Sequence, residues 1–237
     1  MNYQDALFLD TETARAKEAP GKPIEVVELA WTQHLPSVHD SQVFHSKTFR
    51  YQPAVGMEFG AIAVHGILPD ELAGCRGSAC APSDVPAAQY WIGHNIDFDW
   101  RALGSPPGVK RICTLALARW LWPQLDSHTL SACMYFAFGM TAETRERLRN
   151  AHSASHDVQF CVDLLEFMLQ HPKLASVTTL EQLHSWSEEA RVPTMWTFGK
   201  FQGQPIGAAD RGYAQWYKRL PDGDPYVIVA LRRAGLL

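Results

Sequence analysis

The sequence predicts an α/β fold in which a mixed β-sheet is flanked by helices. The first part of the chain holds short apolar or β-branched segments at residues 6–9, 24–32 and 46–51, which is the pattern of strands. Three strands in succession favour an antiparallel meander. A fourth apolar segment at residues 89–93 lies among helical patterns, and this mixture of strands and helices indicates a layered α/β sandwich.

Helical spacing of apolar residues dominates the second part of the chain. One such pattern stops before Pro123, which cannot continue a helix, and another is followed by Gly139, a suitable helix end. Thr179 and Gln182 have the spacing of a capping box. The helices predicted from these patterns cover residues 114–121, 127–138, 157–169 and about 180–190.

A change of composition near Arg191 divides the chain. Residues 192–237 are rich in glycine, aromatic and basic residues. We therefore predict one large domain over residues 1–191 and a small C-terminal appendage over residues 192–237. From residue 193 onward there are six basic and three acidic residues, a charge of +3, while the residues before it hold 15 basic and 22 acidic residues, a charge of −7.

The composition predicts a cytoplasmic protein without a membrane segment. No apolar run reaches the roughly 18 to 20 residues that a spanning helix needs, and the first residues lack the basic region of a signal peptide. The five cysteines are odd in number and show no C-x-x-C spacing. This pattern disfavours a disulfide framework or a zinc ribbon and favours buried free thiols.

Two carboxylates follow the first apolar segment. Asp10 and Glu12 are two residues apart, and alternate residues of a strand project from the same face. Acids crowded at one point repel each other, and a divalent cation relieves that repulsion. Acidic pairs are also common on solvated surfaces, so the spacing alone does not establish a metal site.

A second acidic segment follows the strand at residues 89–93. The strand runs into a polar turn at His94 and Asn95 and then into a helical pattern, and ligands gather at such strand ends in α/β sheets. Either Asp97 or Asp99 suits the role of a ligand. The alternative is that the turn residues satisfy backbone groups and both acids cap the next helix.

The third segment, H-S-A-S-H-D, ends at Asp157. Ser153 or Ser155 can cap the helix that follows, so that Asp157 lies in its first turn. His152 would then stand on a loop above the same site. We expect His156 to face away from it. Further along the helix, Asp163 is expected to be solvated.

In this order the three segments resemble the three exonuclease motifs of the DEDD superfamily, which are D-x-E, H-N-x-x-F-D and H-x-A-x-x-D. The resemblance selects Asp99, the acid after Phe98, over Asp97. A histidine five residues before the last aspartate marks the DEDDh (DnaQ-like) branch, and residue 153, where tyrosine would mark the other branch, is serine. The family implies a ribonuclease-H-like fold with His152 as general base and four metal ligands, Asp10, Glu12, Asp99 and Asp157.

The resemblance extends over nearly the whole chain. Residues 63–67 (AVHGI) resemble the H-G-I segment near the substrate terminus, and residues 112–123 resemble the family's C-T-x-x-L-A-R helix. The tail, from residues 197–203 (TFGKFQG) to Trp216, is similar to the C-terminal segment of the exodeoxyribonuclease X family. Residues 140–150 form a charged stretch for which we identify no counterpart in the family.

The family implies a metal-dependent 3′→5′ exonuclease that acts on DNA 3′ ends, single-stranded or frayed, without a membrane partner. Four carboxylate ligands suit two Mg²⁺, with Mn²⁺ as a substitute, rather than zinc. The alternatives are an exoribonuclease that trims short RNA and an inactive nucleic-acid-binding module that keeps the fold. Residues beside the motifs are candidate substrate contacts: Thr11, Thr13, His65, Ile67, Asn95 and Phe98.

Two of these expectations have open alternatives. Phe98 is a candidate for stacking on a base, and it also suits a core position that holds the turn. In the tail, basic residues interleave with aromatic residues, which is suited to contacts with DNA backbone and bases. The tail aromatics could equally form the core of the appendage, with the basic residues solvating it. The tail residues concerned are Lys200, Phe201, Tyr213, Trp216, Lys218 and Arg219.

Overall fold

The computed structural model describes residues 1, 3–16, 21–33 and 46–237. These residues contain a mixed sheet flanked by helices, so the predicted fold class is confirmed. The strands along the chain are β1 (Ala6–Thr13), β2 (Val26–Thr32), β3 (Lys47–Gln52), β4 (Arg76–Gly77), β5 (Tyr90–Gly93) and β6 (Lys110–Cys113). Their order across the sheet is β4-β3-β2-β1-β5-β6.

The four helices that the apolar spacing predicts are present, although the third begins at Ala154 rather than at residue 157, and the described residues form further helices that were not predicted. In the part of the chain that the structure describes, no helix has both the length and the apolar character needed to cross a membrane. The α-helices are α1 (Phe59–His65), α2 (Ile96–Ala102), α3 (Thr114–Leu121), α4 (Leu130–Phe138), α5 (Ala142–Arg147), α6 (Ala154–Leu169), α7 (Leu180–Arg191), α8 (Arg211–Lys218) and α9 (Pro225–Arg233).

Strand β1 lies inside the sheet, with a partner on each side. It runs antiparallel to β2 and parallel to β5, and nearly all of its side chains are buried. A strand covered on both faces explains the continuous apolar run at its start. The predicted end at residue 9 is too early, because pairing with β2 continues through Glu12 and Thr13. Asp10 and Glu12 therefore lie within the strand rather than behind it.

Strands β2 and β3 complete the predicted antiparallel meander. The register pairs Glu12 of β1 with Glu28 of β2, and Glu28 in turn with Arg50 of β3. Every residue of β2 is buried. Helix α6 packs against β1 and β2, so the paired acids lie under the helix that carries the third motif.

Helix starts follow local capping. The predicted capping box of α7 is confirmed, since Thr179 Oγ1 accepts a hydrogen bond from Gln182 N and Thr179 N donates to Gln182 Oε1, both at 3.2 Å. Helix α4 begins at Leu130 rather than at residue 127, because the hydroxyl of Thr129 caps it. Gly139 ends α4 with a φ of 90°, a backbone conformation that glycine adopts without strain.

The chain forms two compact units, residues 1–187 and 188–237. The core of the second unit is aromatic and centres on Trp196, which is 2% exposed. Its ring lies 5.2 Å from the ring of Tyr213 and 5.8 Å from that of Tyr217. The division falls four residues before the predicted one at residue 191. That the tail is a separate functional module stays a prediction.

All five cysteines are free thiols. Cys113, Cys133 and Cys161 are buried, as the sequence predicts, whereas Cys75 and Cys80 are half-buried. Burial raises the pKa of the Cys133 thiol to about 11, so this group stays protonated at neutral pH.

Candidate active site

The turn that leads into α2 depends on two residues, one for its missing Cβ and one for its left-handed backbone. Gly93 has no room for a Cβ, which would lie 2.9 Å from the carbonyl oxygen of Leu9 and 2.9 Å from Cδ1 of Ile96. Asn95 has a φ of 74°, a left-handed conformation that asparagine tolerates better than most residues. This tight turn brings the first turn of α2 against β1.

Helix α2 presents Asp99, and not Asp97, to β1. Asp99 is 3% exposed, and its Oδ1 accepts hydrogen bonds from the backbone N–H of Thr11 at 2.9 Å and from the Thr11 hydroxyl at 2.7 Å. Thr11 is the residue between Asp10 and Glu12. Asp97 instead accepts a hydrogen bond from Arg111 at 2.5 Å. Its carboxylate is therefore already paired away from β1.

The start of α6 supplies the third acid. Asp157 Oδ2 accepts a hydrogen bond from the backbone N–H of His152 at 3.1 Å, and His152 has a left-handed φ of 67°. The predicted serine cap is wrong. Ser153 precedes the helix without a capping bond from its side chain, and its hydroxyl lies 3.2 Å from that of Ser155. The carboxylate of Asp157 itself satisfies a backbone donor at the helix start.

These segments bring an imidazole and carboxylates together. The possible ligand atoms of Glu12, His152 and Asp157 all lie within 4.8 Å of one another. Glu12 is buried, Asp157 is half-buried and His152 is exposed. His156, expected to face away, lies outside this group, and its half-buried ring is 6.4 Å from that of Phe160.

Burial raises the pKa of all four predicted ligands, and neighbouring acids add to the shift at Asp10, Glu12 and Asp157. Burial is the largest cause in each case, and at Asp10 the charges of Asp99, Asp157 and Glu12 add to it, so its pKa lies well above the ordinary value. The pKa of Glu12 rises to about 9, through burial and then the charges of Asp157 and Glu28. Those of Asp99 and Asp157 rise to about 7, although hydrogen bonds oppose the shift. The charge of Arg101 lowers the pKa of Asp99 and so opposes the effect of burial there.

Comparisons with known proteins agree with this geometry. No protein-family model matches the chain. Exodeoxyribonuclease 10 of Escherichia coli (strain K12) is 25% identical over 229 residues, which is 95% of this chain and 96% of that protein. The predicted resemblance to the DEDDh exonucleases is confirmed.

Two solved structures share the fold of these DEDDh exonucleases. Exonuclease X in complex with 5′-overhanging duplex DNA matches with a TM-score of 0.52 and 23% identity, covering 77% of this chain and 99% of that chain. The zinc-bound complex of E. coli exonuclease I with single-stranded DNA matches with a TM-score of 0.51 and 20% identity, covering 72% of this chain and 41% of that chain. The ribonuclease-H-like class expected from the sequence is thereby confirmed.

Glu28 is an acid of this site that the motif spacing does not reveal. It is 3% exposed on β2, opposite Glu12, and Arg50 donates a hydrogen bond to its Oε1 at 3.0 Å. Its Oε2 accepts a hydrogen bond from the backbone N–H of Ala154, the first residue of α6, at 3.0 Å. Glu28 thus ties β2 to the helix that carries Asp157. The signal in the sequence is a single acid inside an otherwise apolar strand.

The candidate substrate contacts beside the DEDDh motifs differ in accessibility. Thr11 and Thr13 are buried, and their hydroxyls donate to Asp99 and to the carbonyl of Arg15. The half-buried His65 accepts a hydrogen bond from the N–H of Ile67 at 3.0 Å, and burial lowers the pKa of His65.

Ile67, Asn95 and Phe98 occupy three different environments. Ile67 is 4% exposed and packs in a core cluster with Ala14, Val27 and Leu72, and its role as a substrate contact stays a prediction. Asn95 is exposed and Phe98 half-buried. These two positions keep accessible surface beside Asp99.

Asp163 is not solvated as predicted. An Arg147 N–H donates to Asp163 Oδ2 at 2.5 Å, and the Asp163 side chain is 23% exposed. Burial raises the pKa of Asp163, and the charge of Arg147 opposes that shift. Arg147 is the last residue of α5, so the charged stretch at residues 140–150 has at least one structural contact with α6.

The raised pKa values predict an unusual pH dependence of the stability of the folded protein when a chelator keeps metal ions away. A carboxyl whose pKa is higher in the folded than in the unfolded state binds more protons when folded, so stability falls as pH rises between the two values. The fall begins above the unfolded values near 4 and extends through about 7 for Asp99 and Asp157 and about 9 for Glu12. We expect a lower Tm at about pH 8 than at about pH 6 in EDTA, and a shallower decrease for Asp157→Asn. A Tm that rises over this interval would contradict the prediction.

Two substitutions of Glu28 isolate its hydrogen bond to Ala154. Glu28→Ala and Glu28→Gln both remove the charge, but glutamine keeps an oxygen that can accept the N–H. The alanine variant should therefore be less stable than the glutamine variant by about 1–3 kcal/mol, the cost of leaving a buried donor unpaired. Urea unfolding measures this difference. Glu71→Ala, which removes the exposed second partner of Arg50, serves as control and should cost only about 0–1 kcal/mol.

Proposed function

We propose that the protein is a metal-dependent 3′→5′ exonuclease that hydrolyses phosphodiester bonds and releases nucleotides from DNA 3′ ends. The observation that carries the proposal is the convergence of three distant segments on one buried carboxylate cluster beside His152. The similarity to exodeoxyribonuclease 10 over nearly the whole of both chains supports DNA as the substrate.

The carboxylate cluster fits divalent cations. Its acids have raised pKa values because they are buried, and at Asp10 and Glu12 also because neighbouring carboxylates lie close to them. Carboxylate oxygens suit Mg²⁺ or Mn²⁺ rather than zinc. When bound, two such ions activate a water molecule and stabilise the leaving 3′-oxygen. The residues that would hold them are Asp10, Glu12, Asp99 and Asp157.

Side chains of this protein provide proton transfer and orientation. His152 is exposed at the start of α6, where its imidazole can accept the proton of an attacking water. Asp157 holds the backbone of His152, so the base and one carboxylate share the same helix start. Thr11 orients Asp99 through two hydrogen bonds. The spacing of these groups is therefore set by backbone contacts within the fold.

The substrate is expected to be a single-stranded or frayed DNA 3′ end. Asn95 and Phe98 offer accessible surface beside the acids, and half-buried His65 is a further candidate contact. An exoribonuclease would instead recognise the 2′-hydroxyl of its substrate. The complete set of motif residues argues against an inactive binding module. The cytoplasmic location inferred from the sequence stays a prediction.

Substitution of neighbouring acids on α2 tests the ligand assignment. Asp99→Asn should abolish nucleotide release, because it removes a buried carboxylate from the cluster. Asp97→Asn, two positions earlier on the same helix, should retain most activity, because the Asp97 carboxylate is paired with Arg111. The measurement is shortening of labelled oligonucleotides, with the Tm of each variant as a check on folding. Substitution of Asp10, Glu12 or Asp157 by alanine should give the same loss of nucleotide release as Asp99→Asn.

The same assay tests the function itself. DNA and RNA oligonucleotides labelled at the 3′ or the 5′ end are incubated with and without Mg²⁺. We expect DNA to shorten from its 3′ end only when Mg²⁺ is present. Digestion from the 5′ end, or digestion in EDTA, would refute the proposed function. Faster digestion of RNA than of DNA would assign the exoribonuclease alternative.

His152→Ala should slow DNA hydrolysis by roughly 10²–10⁴-fold, the usual contribution of a general base. His156→Ala is the matched control, since His156 lies four residues further along the chain, in the first turn of α6, and outside the ligand group. It should keep near-normal hydrolysis. Equal losses of hydrolysis in the two variants, at unchanged Tm, would show that His152 is not the general base.

A further inference from the structure

The aromatic and basic residues of the second unit divide into a core set and a surface set. Phe201 is buried, and Tyr213 packs against it with ring centres 5.0 Å apart. Lys200 lies over the ring of Phe201 and forms an ion pair with Asp210 at 3.5 Å. These residues are therefore engaged within the unit, and the core interpretation holds for them.

Helix α8 presents the other residues to solvent. Its buried side carries Ala214 and Tyr217. The opposite side, called here the α8 surface, contains no acidic residue. Asp210, which caps the helix through the N–H of Tyr213, is already paired with Lys200. In the described part of the chain no carboxylate forms an ion pair with the cations of this surface. The α8 surface consists of Arg211, Gln215, Trp216, Lys218 and Arg219, all exposed.

Trp216 is exposed at the edge of this cationic face. It is 47% exposed, and its ring lies 4.9 Å from that of Tyr213, which supports it from below. Arg219 follows three residues later and so stands on the same side of the helix. Phe198, 38% exposed, lies 5.8 Å from Tyr217 and adds a second accessible ring. Packing in the core of the unit does not explain why the rings of Trp216 and Phe198 are exposed to solvent.

We infer that the α8 surface binds single-stranded DNA, an inference that rests on the proposed function. Unpaired arginine and lysine side chains neutralise phosphates, and accessible aromatic rings stack on bases of any sequence. The cations and the exposed ring of Trp216 occur together on the solvent side of α8, with a charge complementary to a polyanion. An acidic protein partner would use the cations but would not explain the exposed ring of Trp216 beside them.

Binding of a fluorescent oligothymidine to the full-length chain in EDTA tests the inference without hydrolysis. Trp216→Ala should weaken binding by about 5- to 150-fold, the loss expected for one stacked base, and Trp216→Phe should restore most of it. Arg219→Ala should lower the slope of log affinity against log salt by about 0.7. Arg232→Ala removes the same charge from an exposed position on α9 and should change affinity less.

Hydrolysis assays separate this inference from the proposed function. Trp216→Ala should raise KM for a long oligothymidine and leave hydrolysis of a small p-nitrophenyl ester of thymidine 5′-monophosphate unchanged. If the wild-type chain digests DNA and Trp216→Ala binds as tightly as the wild type, the inference about the α8 surface is wrong and the proposed function still holds. Equal effects of Arg219→Ala and Arg232→Ala would also overturn it. Loss of binding in Trp216→Ala from a chain without hydrolytic activity would support the surface and refute the function.

Discussion

The active-site architecture depends on the repulsion between acids that the fold buries together. Five carboxylates, Asp10, Glu12, Glu28, Asp99 and Asp157, influence each other in a region with little water, and burial raises the pKa of the four motif acids. Such a cluster opposes folding unless strong packing surrounds it. The apolar run of β1 and the fully buried β2 provide that packing.

The fold holds these acids mainly with neutral donors, which leaves their charge available. Asp99 is bonded to Thr11 and Asp157 to the backbone of His152. Glu28 is the exception, because Arg50 pairs with it from the neighbouring strand. Arg50 thus compensates the acid that also holds the start of α6. Of the possible ligands, a cation is the one that this cluster of carboxylates binds most favourably.

Local patterns in the sequence predict most of the fold and much of the site. The i, i+2 spacing of Asp10 and Glu12 and the capping box of α7 depend on neighbouring residues only. Glu28 and Asp163 escape prediction because their partners are distant: Glu28 bonds to Ala154, 126 positions away, and Asp163 pairs with Arg147 on another helix. The choice of Asp99 over Asp97 needed the family resemblance, and the structure supplies its physical reason in Arg111.

Charge is distributed unevenly along the chain. The residues before 193 carry a net charge of −7, which would repel DNA in the absence of metal ions. Bound cations reverse the field only near the scissile phosphate, since salt screens charges beyond about 8 Å at physiological ionic strength. Phosphates further along the strand need cations elsewhere in the protein. The tail is net positive, and the inferred contacts for such phosphates are the cations of the α8 surface, for which the described part of the chain holds no ion pair.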